Sequence, residues 1–266
     1  MKSKQGIQVA FIGLGAMGAP MAERLLDAGF AVTSAPNRSR EAFDRLAKKG
    51  LVEHATAGDA ARHADIFMSI VFDEKQNDEI LFGDSGALAA LRPGSTIVLM
   101  STISPGYCQK VSELAGEKGV HVLDCPVSGR VEGAIAGTLT LMVGGEVSTV
   151  DRCSEVFAVL GNARRCGDVG AGQLTKVANN TLFISSFALI QELREVIESY
   201  GMDFQQFLDV LNLSTGRSWV SQNVPIPRTR MPLPSMPLKD LGIGRDLAAE
   251  MGVDVPLINQ VLKHGL

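Results

Sequence analysis

The 266-residue sequence predicts an α/β N-terminal domain built on a parallel sheet, joined by one long helix to a smaller all-α C-terminal domain. Three observations carry this prediction. Short apolar runs alternate with helical stretches over residues 8–143, the pattern of repeated βαβ units. A glycine-rich turn, Gly13-Leu14-Gly15-Ala16-Met17-Gly18, stands between the first run and the first helix. Residues 173–200 hold no Gly or Pro, are half apolar, and are followed only by helix-like patterns.

The elements follow in order. Residues 8–12 (QVAFI) read as a strand, and residues 21–28 as a helix closed by Gly29. Residues 30–33 are a second strand, 35–39 a loop, and 40–49 a helix stopped by Gly50. Further buried strands are expected at 65–71, 96–100, 120–123 and 138–143. The stretch 173–200 would be a helix of roughly 40 Å. Apolar residues occur around most of its circumference, which predicts central burial. Gly201 suits its C-cap. Pro225, Pro227, Pro232, Pro234 and Pro237 hold five of the 11 prolines, a density that excludes regular helix there. Helix resumes at 238–251, and another begins at 255. The expected division is residues 1–168 and 169–266.

Composition excludes several function classes. Lys plus Arg is 25 against 29 Asp plus Glu, a net charge of −4 that gives no reason to expect nucleic-acid binding, which wants a basic face. With 45% hydrophobic and 20% charged residues the chain can bury a sizeable core. No apolar run reaches the ~18 residues of a membrane span. The start, MKSKQGIQVAFIG, enters a strand with no small-residue cleavage site, so no secretory signal is expected. Cys108, Cys125, Cys153 and Cys166 have no metal-like spacing and no clustered histidines. Reduced thiols, no structural zinc and a cytoplasmic location are expected.

Gly13-x-Gly15-x-x-Gly18 alone is a weak motif. Between a strand and a helix, at the head of a βαβ pattern, it predicts a Rossmann-type dinucleotide site. Gly13 permits the tight turn, Gly15 lets backbone approach a pyrophosphate, and Gly18 lets helix and strand pack closely. The helix N-terminus adds N–H donors and partial positive charge. NAD sites usually carry an acid after the second strand; here the segment is Pro36-Asn37-Arg38-Ser39. Arg38 would attract a 2′-phosphate, with Asn37 and Ser39 donating hydrogen bonds. NADP is therefore preferred, with NAD the alternative.

Five segments together resemble one family. They are Phe11-Ile12-Gly13-Leu14-Gly15-Ala16-Met17-Gly18-Ala19-Pro20-Met21-Ala22; Ser101-Thr102-Ile103-Ser104-Pro105; Asp124-Cys125-Pro126-Val127-Ser128-Gly129 with Gly133-Ala134 and Gly137-Thr138-Leu139; Gly170-Ala171-Gly172-Gln173-Leu174-Thr175-Lys176-Val177-Ala178-Asn179-Asn180; and Lys239-Asp240-Leu241. In this order they resemble the β-hydroxyacid dehydrogenases, which include 3-hydroxyisobutyrate dehydrogenase, tartronate semialdehyde reductase and the glyoxylate/succinic semialdehyde reductases. The resemblance implies hydride transfer between a nicotinamide cofactor and a small 3-hydroxy acid or aldehyde acid. It implies Lys176 as the catalytic group, with Asn180 in the substrate site. It implies that Ser128 and Gly129 bind the substrate carboxylate, that Thr102 and the Val71-Phe72 loop lie near the cofactor, and that Lys239 lies beside the nicotinamide.

The chemistry of these residue types agrees. Lys176 and Asn180 are i and i+4 and share one helix face. Reduction of a carbonyl puts negative charge on its oxygen, which an ammonium can stabilise and protonate. In the oxidative direction the lysine must act as a base, which asks for burial or a neighbouring cation. Lys239 is one candidate for that cation. Ser128-Gly129 offers a hydroxyl and backbone N–H groups, a reasonable carboxylate cradle. Residues such as Leu182, Phe183, Leu189 and Leu193 are expected to serve the core or a subunit contact, which suggests a homodimer or homotetramer.

Three features depart from the family pattern. Arg130 stands where the family usually has a second Gly; beside the substrate carboxylate it would recognise a second acidic group, or else point to solvent. The stretch 30–37 is one residue longer than usual, which shifts the loop carrying Arg38. Family members run on by about one further helix beyond residue 266, so the resemblance implies exposed apolar surface here unless a partner subunit covers it. Two other readings stay open: an imine reductase-like enzyme, against which Lys176 argues, and a catalytically weak dinucleotide-binding scaffold.

Overall fold

The computed structural model describes residues 6–35, 40–229 and 234–264. The chain divides into two compact units, Met1–Lys176 and Val177–Leu266.

Alternation along the strands organises the first unit. Its elements are β1 (Gln8–Ile12), α1 (Gly18–Asp27), β2 (Ala31–Ser34), α2 (Glu41–Ala47), β3 (Val52–Glu53), α3 (Ala57–Ala61), β4 (Ile66–Ser69), α4 (Glu74–Phe82), α5 (Ala87–Ala90), β5 (Thr96–Leu99), α6 (Pro105–Gly116), β6 (His121–Asp124), β7 (Val127–Ser128), α7 (Arg130–Ala136), β8 (Leu139–Gly144), α8 (Val147–Arg152), α9 (Ser154–Leu160) and β9 (Gly161–Gly167). The strands lie in the order β3-β2-β1-β4-β5-β6-β8-β7, with β9 also pairing β8. From β3 to β6 every pairing is parallel; β6 and β7 meet β8 antiparallel, and β9 joins β8 parallel. Val9, Phe11, Met68 and Val98 enter one hydrophobic cluster, while Ala10, Ile12, Phe67, Ile97 and Leu99 enter the other. Both faces of the sheet are therefore covered, as parallel sheets require.

Local chemistry sets the helix starts. Asp73 caps α4 by accepting from the Gln76 N–H at 2.9 Å. Ser104 caps α6 by accepting from the Tyr107 N–H at 3.2 Å, with Pro105 in the first turn. Arg24 on α1 donates to the Val159 carbonyl on α9 and the Ile135 carbonyl on α7, at 2.9 and 3.1 Å. It thereby ties the helix that follows the glycine turn to the helix that follows Ser128.

A 29-residue helix, α10 (Ala171–Ser199), leads from the first unit into the second. After it come α11 (Phe204–Leu213), α12 (Trp219–Asn223), α13 (Ser235–Glu250) and α14 (Pro256–His264). Ile190, Phe204, Leu208, Val220 and Ile226 form one small core of the second unit, and Ile184 with Leu241 a second. Arg194 stacks its guanidinium 4.4 Å from the Phe204 ring centre and donates to the Ile226 carbonyl.

Three expectations need correction. The long helix is not buried all round: Leu182, Leu189 and Val196, spaced by seven, are 72%, 55% and 63% exposed. The small cores of the second unit take Ile184, Phe187 and Ile190 from α10 and leave Leu182, Leu189 and Val196 outside. The proline-rich stretch does not exclude helix to its end, because α13 begins at Ser235 and takes Pro237 into its first turn. No intrahelical N–H bond is needed there. For the same reason Lys239 does not open a helix but lies a full turn inside one. No helix among the described residues is long and apolar enough to cross a membrane.

Candidate active site

The glycine turn follows β1 at the point where strand order reverses, between β1 and β4. Gly13 has φ +103°, and a Cβ there would collide with the carbonyl of Ile70, just past β4. A Cβ at Gly18 would collide with the Gly13 carbonyl. At Gly15 the situation is the opposite: nothing lies within 4 Å of where a Cβ would stand. Two glycines thus close the turn and the middle one faces open space. Leu14 and Met17 pack against the core, while Ala16 is exposed. The first turn of α1 contains no acidic residue, and Met17 caps it with no side-chain bond. Backbone N–H groups at such a helix start suit a pyrophosphate, so the residues present fit a dinucleotide. Asn37, Arg38 and Ser39 lie outside the described residues.

Around this turn, the Val71 N–H donates to Ser101 Oγ at 2.9 Å and the Phe72 N–H to Gln76 Oε1 at 3.1 Å. Val71 is half-buried, Phe72 exposed, and Thr102 half-buried at the exit of β5. These segments leave the carboxyl ends of β4 and β5, where ligands of open α/β sheets bind.

Ser128 ends β7 and is half-buried, with Gly129 and Arg130 exposed beyond it. Gly129 caps α7 at φ +135°. Arg130 is the one non-glycine residue with positive φ among those described, at +58°. A side chain in that left-handed region costs roughly 1–2 kcal/mol. Its guanidinium makes a long ion pair with Glu132, 3.7 Å between exposed groups. Arg130 is therefore strained in its backbone and loosely held at its tip, as residues at binding sites often are.

The start of α10 is bonded to the strand ends just before Lys176. The Asp124 carboxylate, fully buried at the end of β6, accepts from the Gly170 and Gln173 N–H groups, each at 2.7 Å. Burial raises the Asp124 carboxyl above the usual carboxylate range, and the N–H donors of Gly170 and Gln173 work against that rise. Glycines make room for it: a Cβ at Gly144 or Gly172 would strike the Asp124 carboxylate. Gln173 is also fully buried; its Nε2 donates to the Ser101 carbonyl at 2.8 Å, and its Oε1 accepts from the Ile103 N–H at 3.1 Å. Lys176 follows Gln173 by three residues and is half-buried. The neighbouring Cys125 thiol is pushed well up by burial and is inert at neutral pH.

In the second unit Asn180 Nδ2 donates to Asp240 Oδ2 at 2.7 Å, and Lys239 Nζ stands 3.6 Å from Asp240 Oδ1. Asp240 is buried. It joins two of the expected site residues, a role that its sequence position as a helix-start acid did not reveal.

Asp124 and Gln173 were likewise not singled out from the sequence, although both lie inside the motifs. Their signal was a polar residue at a position otherwise suited to burial.

Residues 8–171 match the family described as the NAD binding domain of 6-phosphogluconate dehydrogenase. Residues 170–264 match that described as NAD-binding of NADP-dependent 3-hydroxyisobutyrate dehydrogenase. The chain is 33% identical over 263 residues to an NAD-dependent L-serine dehydrogenase of Pseudomonas aeruginosa, covering 94% of this chain and 88% of that protein. A probable 3-hydroxyisobutyrate dehydrogenase of Mycobacterium bovis is 35% identical over 265 residues, with the same coverage. The solved structure of Mycobacterium tuberculosis 3-hydroxyisobutyrate dehydrogenase with L-serine superposes with a TM-score of 0.85 at 32% identity, over 97% of this chain and 91% of that one. Imine reductases of Myxococcus stipitatus share the fold at 20–21% identity. The chain therefore belongs to the 3-hydroxyisobutyrate dehydrogenase-like family of NAD(P)-binding oxidoreductases.

Proposed function

We propose that this chain is an NADP-preferring 3-hydroxyacid dehydrogenase, or aldehyde-acid reductase, in which Lys176 gives and takes the proton. The observation that carries this reading is the half-buried Lys176, one turn into a helix whose start is hydrogen-bonded to the carboxyl ends of β5 and β6. Bound along the glycine turn, a nicotinamide dinucleotide supplies or accepts the hydride. The chain's own residues do the rest. Ser128 and the Gly129 N–H hold the substrate carboxylate. The Lys176 ammonium faces the carbonyl oxygen, stabilises its growing negative charge and protonates it; in the reverse direction the neutral amine removes the hydroxyl proton. Asn180, one turn further along α10 and bonded to Asp240, orients the same oxygen, and Lys239 is the cation that eases loss of the Lys176 proton.

Further assignments belong to this reading. Thr102 and the Val71-Phe72 loop border the cofactor, and Arg38 with Asn37 and Ser39 reads a 2′-phosphate. Arg130 reads a second acidic group on the substrate. The functional division is a dinucleotide-binding part, 1–168, and a substrate and assembly part, 169–266. The chain works in the cytoplasm as a homodimer or homotetramer, which would cover Leu182, Leu189 and Val196.

The test mixes the protein with NADPH and glyoxylate, succinic semialdehyde, tartronate semialdehyde or methylmalonate semialdehyde and follows the loss of NADPH absorbance. Turnover with at least one aldehyde acid is expected, and Lys176→Ala should lower kcat by about 10²–10⁴-fold while still binding NADPH. Tight NADPH binding with no turnover of any of them would favour a scaffold. Turnover of cyclic imines alone would favour imine reduction.

A further inference from the structure

The buried polar residues of the first unit are not scattered. Ser69, Asn77, Ser101, Asp124 and Gln173, each at most 3% exposed, join end to end across the carboxyl ends of β4, β5 and β6. Ser69 Oγ donates to Asn77 Oδ1 at 2.9 Å. Asn77 Nδ2 reaches the Asp73 carbonyl at 3.0 Å and Ser101 Oγ at 3.4 Å. That same Ser101 hydroxyl accepts from the Val71 N–H, and the Ser101 carbonyl accepts from Gln173 Nε2. Gln173 uses both ends of its amide on the backbone flanking Thr102, and its own N–H on Asp124.

A buried network of this kind, in which each of these side-chain N and O atoms has a partner, specifies one arrangement, because any slip leaves a desolvated donor or acceptor unpaired. The network spans the loop after β4, the exit of β5, the end of β6 and the first turn of α10. Lys176 is the next side chain but two beyond its last member. A helix is stiff over one turn, so fixing Gln173 in three dimensions fixes the backbone that carries the amine.

We propose that Gln173, braced by Asp124, is a positioning residue for proton transfer: it holds the first turn of α10 in register with the Thr102 loop and so sets where the Lys176 amine stands. The inference rests on the reading of Lys176 above. It makes the lysine's placement depend on the β5 exit, so loop and amine move together.

The experiment is a double-mutant cycle in the full chain, reading kcat, KM and the NADPH dissociation constant by fluorescence. Gln173→Ala lowers kcat by about 10–100-fold, the scale of a misplacement near 1 Å, while KM and NADPH binding change less than about 3-fold. In the Lys176→Ala background the same substitution costs nothing further, because the group it positions is gone. Equal losses in both backgrounds, or a Gln173→Ala kcat matching wild type, overturn the positioning role while leaving Lys176 intact. A wild-type kcat in Lys176→Ala alone overturns the reading of Lys176 and this inference with it. Gln173→Glu provides the readout should the alanine variant fold poorly. Its ionised carboxylate opposes the Ser101 carbonyl, whereas its protonated form can donate to it. Its kcat relative to wild type therefore recovers as pH falls, and a ratio independent of pH overturns the proposal.

Discussion

In the turn from β1 to α1, glycine stands at both positions where a Cβ would collide; in the turn from β7 to α7, Gly129 at φ +135° is followed by Arg130 at φ +58°. The two turns follow the carboxyl ends of strands that run the same way, and Arg24 ties them together by bonding α1 to the Ile135 carbonyl of α7. Their difference is instructive. In the function proposed above, the first turn takes the dinucleotide, and a Cβ at Gly13 or Gly18 finds no room there. The second would take the substrate, and there the chain keeps a non-glycine residue, Arg130, at positive φ.

The largest expected effect breaks the first turn without breaking the fold. Gly15→Val adds a side chain where nothing lies within 4 Å, so the melting temperature should move by no more than about 2 °C. The branched side chain instead occupies the space of the pyrophosphate, and NADPH affinity measured by fluorescence titration should fall by about 100-fold or more. An affinity within threefold of wild type would mean that the cofactor does not approach this turn.

A smaller effect sharpens the second turn. Arg130→Gly removes the left-handed strain and adds some freedom to the unfolded chain. Chemical denaturation should show a net gain of roughly 0.5–1 kcal/mol. KM should rise selectively for substrates with a second acidic group and stay level for monoacids. Equal KM changes for both classes would mean the guanidinium serves solvent alone.

The smallest effect concerns what braces α1 behind the cofactor turn. Glu23 pairs with Arg45 and, at 2.9 Å, with Lys49. The Arg45 guanidinium, and then the Lys49 ammonium, hold the Glu23 carboxyl below its ordinary value of 4.5. A carboxyl so lowered contributes stability that is present above about pH 4.5 and is lost as pH falls through the folded value. Glu23→Gln should therefore lower the melting temperature by about 1–2 °C at pH 7, and the deficit should shrink as pH falls below 4.5. A deficit that does not shrink as the pH is lowered would assign the effect to packing.

Legibility varied with how apolar an element is. The runs at β1, β4, β5 and β6 are short and built around buried apolar residues, and their strands emerge within a residue or two of the expected bounds. β9 was missed because Gly161–Gly167 is polar and mostly exposed, so it shows no period that marks a strand. Two-residue β7 was missed for lack of length, although it presents Ser128. The candidate site divided the same way. Gly13, Gly15, Gly18 and Lys176 stood out from the motifs, whereas Asp240 read as a helix-start acid and proved to be a buried partner of Asn180.

The order of residues alone determined the βαβ alternation, the glycine turn and the helical second half, because hydrophobic period and the missing Cβ of glycine act over a few residues. Tertiary structure decided which polar groups are buried together. That Asp124, 46 and 49 residues from its two N–H donors, would hold the start of α10 depends on where distant strand ends meet. Hydrogen bonds act over 3 Å, and only folding brings such groups that close.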